Sequence, residues 1–359
     1  MERRVDRGTV VTTALLLLYG LVMVYSASSP FSLRHFGSGS YLFLKQLISA
    51  GIGVGFLVLL SHLDYHRLRQ IDDILLIGAF LLTALTVLPL RISDGRWLHL
   101  AGFTVQPTEL LKFALIVYLA ATIERKMERI RSFSEGVLPF VVVLLILAAV
   151  VMNQPDLGML LVFSALTAVM LFLGGARIVH LALITLSSLP LVYLAILIAP
   201  YRLARLLSFF HPQAYSTSSG YQIIQSLVAI GSGGIFGRGL GASRAKLFYL
   251  PQSHNDFIFA ITAEELGLIG ASILIGLFAL FAWRAFAVAS QAPDPFGRLL
   301  ALGIGFSISF QVLLNMGVAV GLLPVTGLTL PFISNGGSSL LITLSMVGVL
   351  LNISKQGVS

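Results

Sequence analysis

The feature that most constrains this chain is the recurrence of long, nearly uncharged apolar blocks, at about residues 9–28, 42–61, 74–90, 109–123, 137–153, 158–174, 179–199, 265–289, 299–321 and 339–353. A helix needs roughly 20 mostly apolar residues to cross a bilayer, and a helix that is apolar all round has no face for water. With 57% hydrophobic and 11% charged residues, the 359-residue chain has too little polar surface to coat a soluble body. The expected fold is an all-α polytopic membrane protein of about ten transmembrane helices, forming one integral membrane domain over residues 1–359.

The first block follows Arg3, Arg4 and Arg7 and ends at Ser26-Ala27-Ser28, which imitates a signal-peptide cleavage site. Its apolar core is longer than the usual signal core, so it reads as a first span. The chain has no cysteine, which excludes disulfides, thiolate chemistry and cysteine metal sites.

Basic residues set the orientation. With the N-terminus inside, inner segments carry thirteen Lys and Arg and outer segments eight, five of them in one long loop that the rule discounts. Both termini are thus expected on the cytoplasmic side of the membrane. The net charge of +8 reads as a topology signal plus attraction to anionic membrane lipid, and no nucleic-acid partner is expected.

Two intervals break the helical pattern. The outer loop, about 200–256, is too long for an idle connection; within it Tyr221–Ile230 reads as a short amphipathic helix, followed by a glycine-rich turn over 231–241. The other, about 322–339, contains Pro324, Gly327, Pro331, Gly336 and Gly337, which forbid a continuous helix. Broken backbone at membrane depth must be buried in protein or line a wet cavity, so this is expected to be a re-entrant segment. Its Gly-Gly-Ser-Ser turn could offer backbone N–H groups to an anion, or simply be a helix start capped by Ser338.

Five polar clusters fall at the expected outer side: Asp94–His99, Gln106–Lys112, Gln154–Gly158, the stretch around Asp256, and the turn at Ser338. Charged groups near a bilayer cost a few kcal/mol on insertion scales and mark substrate paths, proton relays or catalytic sites. Glu109 and Lys112 are three apart with the acid N-terminal, the favourable order for an ion pair. They make either a structural bridge or a site where Lys112, with Arg96, neutralises a phosphate. Thr104 or Thr108 is a candidate cap for this helix, with Pro107 in its first turn. Trp97 reads as an interfacial aromatic or a platform for a sugar; Asp156 reads as a turn-maker first and a site residue second.

Asp256 stands immediately before Phe257-Ile-Phe-Ala-Ile261 with only His254 as a basic neighbour in sequence. It is either a cap for a helix starting at Phe257 or a general base whose pKa rises on desolvation. On a continuous helix Glu264 lies about 80° round and roughly 12 Å deeper, with Glu265 on the opposite face, and both read as network residues. One histidine and scattered acids do not make a zinc site. The residues allow a hard cation such as Mg²⁺, held by one or two carboxylates with substrate phosphates.

Motifs along nearly the whole chain carry a resemblance. Gly95-Arg-Trp-Leu98, Gln106-Pro-Thr-Glu-Leu-Leu-Lys112, Gln154-Pro-Asp-Leu-Gly158, Gly220-Tyr-Gln-Ile-Ile-Gln225, Leu250-Pro-Gln-Ser-His-Asn-Asp-Phe257, Ala263-Glu-Glu-Leu-Gly267 and Gly321-Leu-Leu-Pro-Val-Thr-Gly327 resemble the shape, elongation, division and sporulation family of bacterial membrane proteins. Short tails and overall length look most like its rod-shape branch. The resemblance implies ten spans and a peptidoglycan glycosyltransferase that polymerises lipid II into nascent glycan on the outer face, partnered by a class B penicillin-binding protein. It also implies Asp256 as the essential acid and places Trp97, Glu109 and Lys112 among functionally important positions. Arg96, Asp156 and Ser338 join the candidate substrate-binding set from the residue reading. Thr329 and Asn335 depart from the family's Pro-Leu-Pro-Phe and Ser-Tyr-Gly-Gly-Ser-Ser patterns. A lipid-linked precursor flippase and a noncatalytic scaffold are the rival functions.

Overall fold

Each of the ten apolar blocks meets a helix within the residues that the computed structural model describes, 5–89, 93–100, 103–154, 156–186, 200–215 and 219–357. The helices are α1 (Arg7–Phe36), α2 (Tyr41–His62), α3 (His66–Gln70), α4 (Asp72–Leu85), α5 (Pro107–Arg125), α6 (Leu138–Asn153), α7 (Leu157–Leu173), α8 (178–186), α9 (Pro200–Phe210), α10 (Ser219–Gly233), α11 (Ile258–Ser290), α12 (Pro295–Ala319) and α13 (Gly337–Gln356). Among the described residues six helices, counting α6 with the π turn before it, are long and apolar enough to cross a membrane, and α7 is a shorter apolar one. The second half of the seventh expected span, 187–199, and the N-terminal Arg3 and Arg4 lie outside the described residues.

Local chemistry sets several helix ends. Asp6 accepts from the Thr9 N–H at 2.9 Å to start α1, and Gly37, in the left-handed conformation, closes it with its N–H on the Leu33 carbonyl. Asp294 caps α12 through the Gly297 N–H, with Pro295 in the first turn. Small residues let helices approach closely: Gly53 of α2 sits against Leu344 of α13, and Gly348 of α13 against the Leu57 backbone. Helix α1 is a continuous 30-residue element whose Gly20 lies against the backbone of Phe332, so the first apolar block is part of the folded body.

Sequence patterning misses one element. Ser93–Asp94 (β1), Trp97–Leu100 (β2) and Phe103–Val105 (β3) form a small antiparallel sheet in the order β1-β2-β3, with Asp94 opposite Trp97 and His99 opposite Thr104. Gly95, at φ +62°, makes the turn that turns Arg96 out of the hairpin.

The long interval before α11 is structured. It holds α9, α10 over the run read as amphipathic, four left-handed glycines (Gly234, Gly237, Gly239, Gly241) and a π turn at Ala245–Tyr249. Helix α11 breaks at Gly267 (φ +67°), just inside the apolar block read at 265–289. The loop repairs the break: Arg238 and Gly239 N–H groups take the Glu264 and Glu265 carbonyls, while Leu268 and Ile269 N–H groups donate to Gly234 and Ile235. A broken membrane helix needs such substitute partners.

Residues 322–336 are non-helical and, beyond the exposed Leu322, packed into the protein, with Val325, Leu328, Leu330, Phe332 and Ile333 buried. At the opposite end of the bundle the helix ends are tied by polar pairs: Arg284 with Asp6, Arg125 with Asp72, Tyr65 with Asp294, and Arg69 with Glu124 at 3.0 Å.

A Cβ at position 20 would collide with the Phe332 carbonyl, a backbone atom that cannot swing away. Gly20→Ala is expected to lower stability by about 1–3 kcal/mol, read as an earlier thermal unfolding in detergent; an unchanged transition would contradict this packing of α1 on the irregular segment.

Candidate active site

The five polar clusters meet at one end of the bundle, joined by hydrogen bonds. Arg96 donates from Nε to the Gln154 carbonyl at 2.8 Å and its Nη1 lies 3.8 Å from Asp156 Oδ2. Gln106 Nε2 also donates to Asp156 Oδ2, at 3.3 Å, while the Gln106 N–H donates to Ser338 Oγ at 3.1 Å. Ser334 Oγ donates to the Asn255 carbonyl at 2.6 Å, and Asn315 Nδ2 bridges the carbonyls of Asp256 (2.9 Å) and Leu328 (2.7 Å). Asn315 thereby fixes the loop before α11 to the irregular segment 322–336.

Asp256 and Arg96 both border Gly327. A Cβ built there would lie 3.5 Å from Arg96 Nη1 and 3.8 Å from Asp256 Oδ2, so the glycine, at φ +76°, leaves open the space beside both the acid and the guanidinium. Asp256 is half-buried. It is not a cap: α11 starts at Ile258, and no side-chain hydrogen bond caps that end. Burial raises its pKa from 3.8 to about 6, opposed by Arg96 and then Arg205 and reinforced by Asp156. Neighbouring His254 is buried against the Phe31 ring of α1 at 4.6 Å, and burial, then the nearby His35, pushes its pKa down to about 4.

Asp156 takes the local backbone role expected of it, capping α7 through the Met159 N–H at 3.1 Å, and it also pairs with Arg96. Burial raises its pKa, with Arg96 the main opposing influence. Glu109 and Lys112 form their pair at 2.6 Å, both fully buried, and Lys112 Nζ donates equally closely to Gln311 Oε1. Gln311 in turn holds the Thr329 carbonyl at 3.0 Å, so the ammonium acts on the shape of the irregular segment. Neither Thr104 nor Thr108 caps α5; Gln106 occupies the cap position without a side-chain bond, and Pro107 does open the first turn. Ser338 is likewise not a cap, because α13 begins at Gly337 and the Ser338 hydroxyl receives Gln106 instead. Trp97 is half-buried on β2 beside Arg96. Glu264 and Glu265 sit apart in a polar network with the preceding loop.

Sequence reasoning does not single out Arg205, Gln46, Gln311 or Asn315. Arg205, on α9, reaches the Val325 carbonyl at 3.5 Å and acts electrostatically on both Asp256 and Asp156. Gln46 of α2 donates to Ser334 and accepts from Gly336. An amide inside an apolar block was the available signal, since a buried polar group without partners costs free energy. Among the described residues no three His, Asp or Glu side chains come together as metal ligands. Among the described residues three non-glycine residues have positive φ, Phe248 (67°), Gln252 (54°) and Phe332 (66°). All lie in the two segments that meet at Asp256, where backbone strain concentrates in working sites.

The cell cycle protein family model named for FtsW, RodA and SpoVE matches residues 7–358. A probable peptidoglycan glycosyltransferase FtsW of Trichlorobacter lovleyi is 45% identical over 341 residues, 94% of this chain and 89% of that protein. Stage V sporulation protein E of Bacillus subtilis is 43% identical over 98% of this chain and 97% of its own length. Among solved structures, a peptidoglycan synthase complex described as coordinating polymerization and crosslinking contains a chain at TM-score 0.79 and 30% identity, covering 98% of this chain and 97% of that one. The rod shape determining protein RodA of Thermus thermophilus aligns at TM-score 0.72 and 30% identity, covering 99% and 98%.

The raised pKa of Asp256 has a stability signature. A folded pKa near 6 against 3.8 means the folded protein holds this proton more tightly than the unfolded chain does. The group's favourable contribution is complete below about pH 4, is lost as pH rises toward 6, and leaves a constant penalty above. Asp256→Asn is therefore expected to be more stable than wild type at pH 7.5, on the order of 1–3 kcal/mol, with the gain gone below about pH 4. A destabilised variant at pH 7.5 would show the carboxylate to be held by favourable partners instead.

Proposed function

The chain belongs to the cell cycle protein family of FtsW, RodA and SpoVE, and from that premise we propose that it is a peptidoglycan glycosyltransferase polymerising lipid II. The observation that carries the reading is that Asp256 and Arg96 both border the bare side of Gly327. A base beside a guanidinium is what transfer from a diphosphate donor requires: one group to accept a proton, another to meet the departing charge.

The donor sugar is α-linked to the polyprenyl diphosphate and the polymer linkage is β, so one inverting displacement is sufficient. The acceptor 4-hydroxyl oxygen bonds to the donor anomeric carbon as that carbon's bond to the diphosphate oxygen breaks. Asp256 takes the hydroxyl proton, and undecaprenyl diphosphate leaves with the electron pair. Arg96, set by Gln154 and Asp156, brings a fixed positive charge to the charge that develops on the leaving phosphate. Lys112 and Glu109 support it from below through Gln311 and Thr329, Trp97 supplies an apolar platform beside Arg96, and Ser338 links the irregular segment to the start of α5.

The donor set does not form a cage for a divalent cation. Asp156 already serves Arg96, Gln106 and the Met159 N–H, and a guanidinium lies beside the remaining carboxylate. Mg²⁺ would come as a companion of the substrate's phosphates. In this reading the site opens to the outer face, both termini are cytoplasmic, and a class B penicillin-binding protein crosslinks the glycan. The relative solved within a peptidoglycan synthase complex supports that partnership.

A flippase is the second reading, favoured by the break in α11 and the irregular segment. Against it, the helix ends opposite Asp256 are tied to one another by polar pairs that alternating access would have to break and remake. Vesicles carrying the protein and given lipid II from outside separate the two. Glycan strands on a gel are expected from wild type, and Asp256→Asn is expected to lose at least the 10² to 10⁴ of general base catalysis. EDTA is expected to slow polymerisation far less than the Asp256 change does. Lipid transfer without polymer would favour the flippase; polymer at the wild-type rate from folded Asp256→Asn would end the assignment.

A further inference from the structure

A second buried polar centre lies away from the Asp256–Arg96 pair, and the proposed chemistry does not use it. Lys246 Nζ lies 2.6 Å from Glu265 Oε1 and 3.0 Å from Ser26 Oγ, and Ser26 Oγ in turn donates to Glu265 at 2.6 Å. The lysine side chain is 5% exposed and the glutamate 0%. Beside them Glu264 gathers the loop: it accepts from Arg244 N–H at 3.0 Å, Ala245 N–H at 3.2 Å and the Ser243 hydroxyl, with Arg238 Nη1 3.7 Å away. Taking these charges from water is costly, and they offset it only because they find one another.

The centre sits where it closes a loop. Lys246 precedes, and Ile258 follows, the stretch that carries Asp256, and both of its ends are fastened to the first two turns of α11. Within it Phe248 and Gln252 hold positive φ, conformations that persist only when the surroundings over-determine them. Arg34 of α1 lies over the Phe248 ring at 4.6 Å, and His254 packs on Phe31 of the same helix. Anchoring both ends removes loop entropy that would otherwise blur the position of the acid. A chain needing only a membrane anchor would place apolar residues here.

We propose that Glu265, Lys246 and Ser26 are positioning residues: a three-group clasp between α1, α11 and the preceding loop that sets where Asp256 stands. The proposal rests on the reading of Asp256 as the base, yet one arm of its test is independent of activity. In hydrogen exchange on the purified full chain, Glu265→Gln and Ser26→Ala are expected to raise exchange in residues 247–257 at least tenfold, with the cores of α2 and α13 unchanged. Unchanged exchange in 247–257, or a uniform rise across the molecule, would overturn the clasp whatever the reaction proves to be.

Turnover supplies the second arm. Glu265→Gln is expected to lower kcat at least tenfold with KM within twofold, because substrate contacts remain while the base is misplaced. Glu265→Asp should restore part of kcat. The double variant Glu265→Gln with Lys246→Met leaves no unpaired charge, so it folds even if a single variant does not, and it should be no slower than either single change. Wild-type kcat in the folded double variant would overturn the proposal. A wild-type protein without polymerase activity would overturn the functional reading and leave exchange to decide the clasp.

Discussion

A bilayer offers no partner to a broken backbone or a charge, and every irregularity in this fold is answered from inside the protein. At the α11 break the loop over 234–239 gives and receives the hydrogen bonds that the helix loses. The non-helical stretch 322–336 is held by Asn315 and Gln311 of α12 and Gln46 of α2, three amides on two helices. An unsatisfied polar group in hydrocarbon costs several kcal/mol, so these amides are structural necessities. Their partners lie next to Asp256, which makes satisfying the backbone and shaping the site one task.

The same constraint arranges the charges. Buried cations lie against buried acids, Lys112 with Glu109 and Lys246 with Glu265, and Asp156 is engaged by Arg96, Gln106 and a helix start. Asp256 differs. Within reach of two arginines it is still dominated by burial, so its carboxylate keeps an appetite for a proton near neutral pH. The bundle's opposite end spends its charges on tying helices together, whereas this end brings a carboxylate and a guanidinium to the open side of Gly327.

Most of this was legible in the sequence. Block length gave the helices, proline and glycine spacing gave the irregular segment, and the cost of charge in lipid singled out Asp256, Arg96, Asp156, Glu109 and Lys112. The small sheet was hidden because its strands are short and flank a turn whose function is to present Arg96. Helix caps misled at Thr108 and Ser338, since hydroxyls beside a helix start are ordinary caps and only tertiary contacts assign Ser338 to Gln106. The direction of Lys112 also depended on a partner, Gln311, almost two hundred positions away. Relatives bearing division, sporulation and rod-shape names share the family's helices.

The central claim is that Asp256 is a base tuned by burial. The pH dependence of kcat/KM for lipid II polymerisation by the purified protein tests it most directly. The account predicts an acid limb of unit slope with a midpoint at about pH 6, absent from the residual activity of Asp256→Asn. A limb in the ordinary carboxylate range near pH 4, or one that survives in Asp256→Asn, would contradict it.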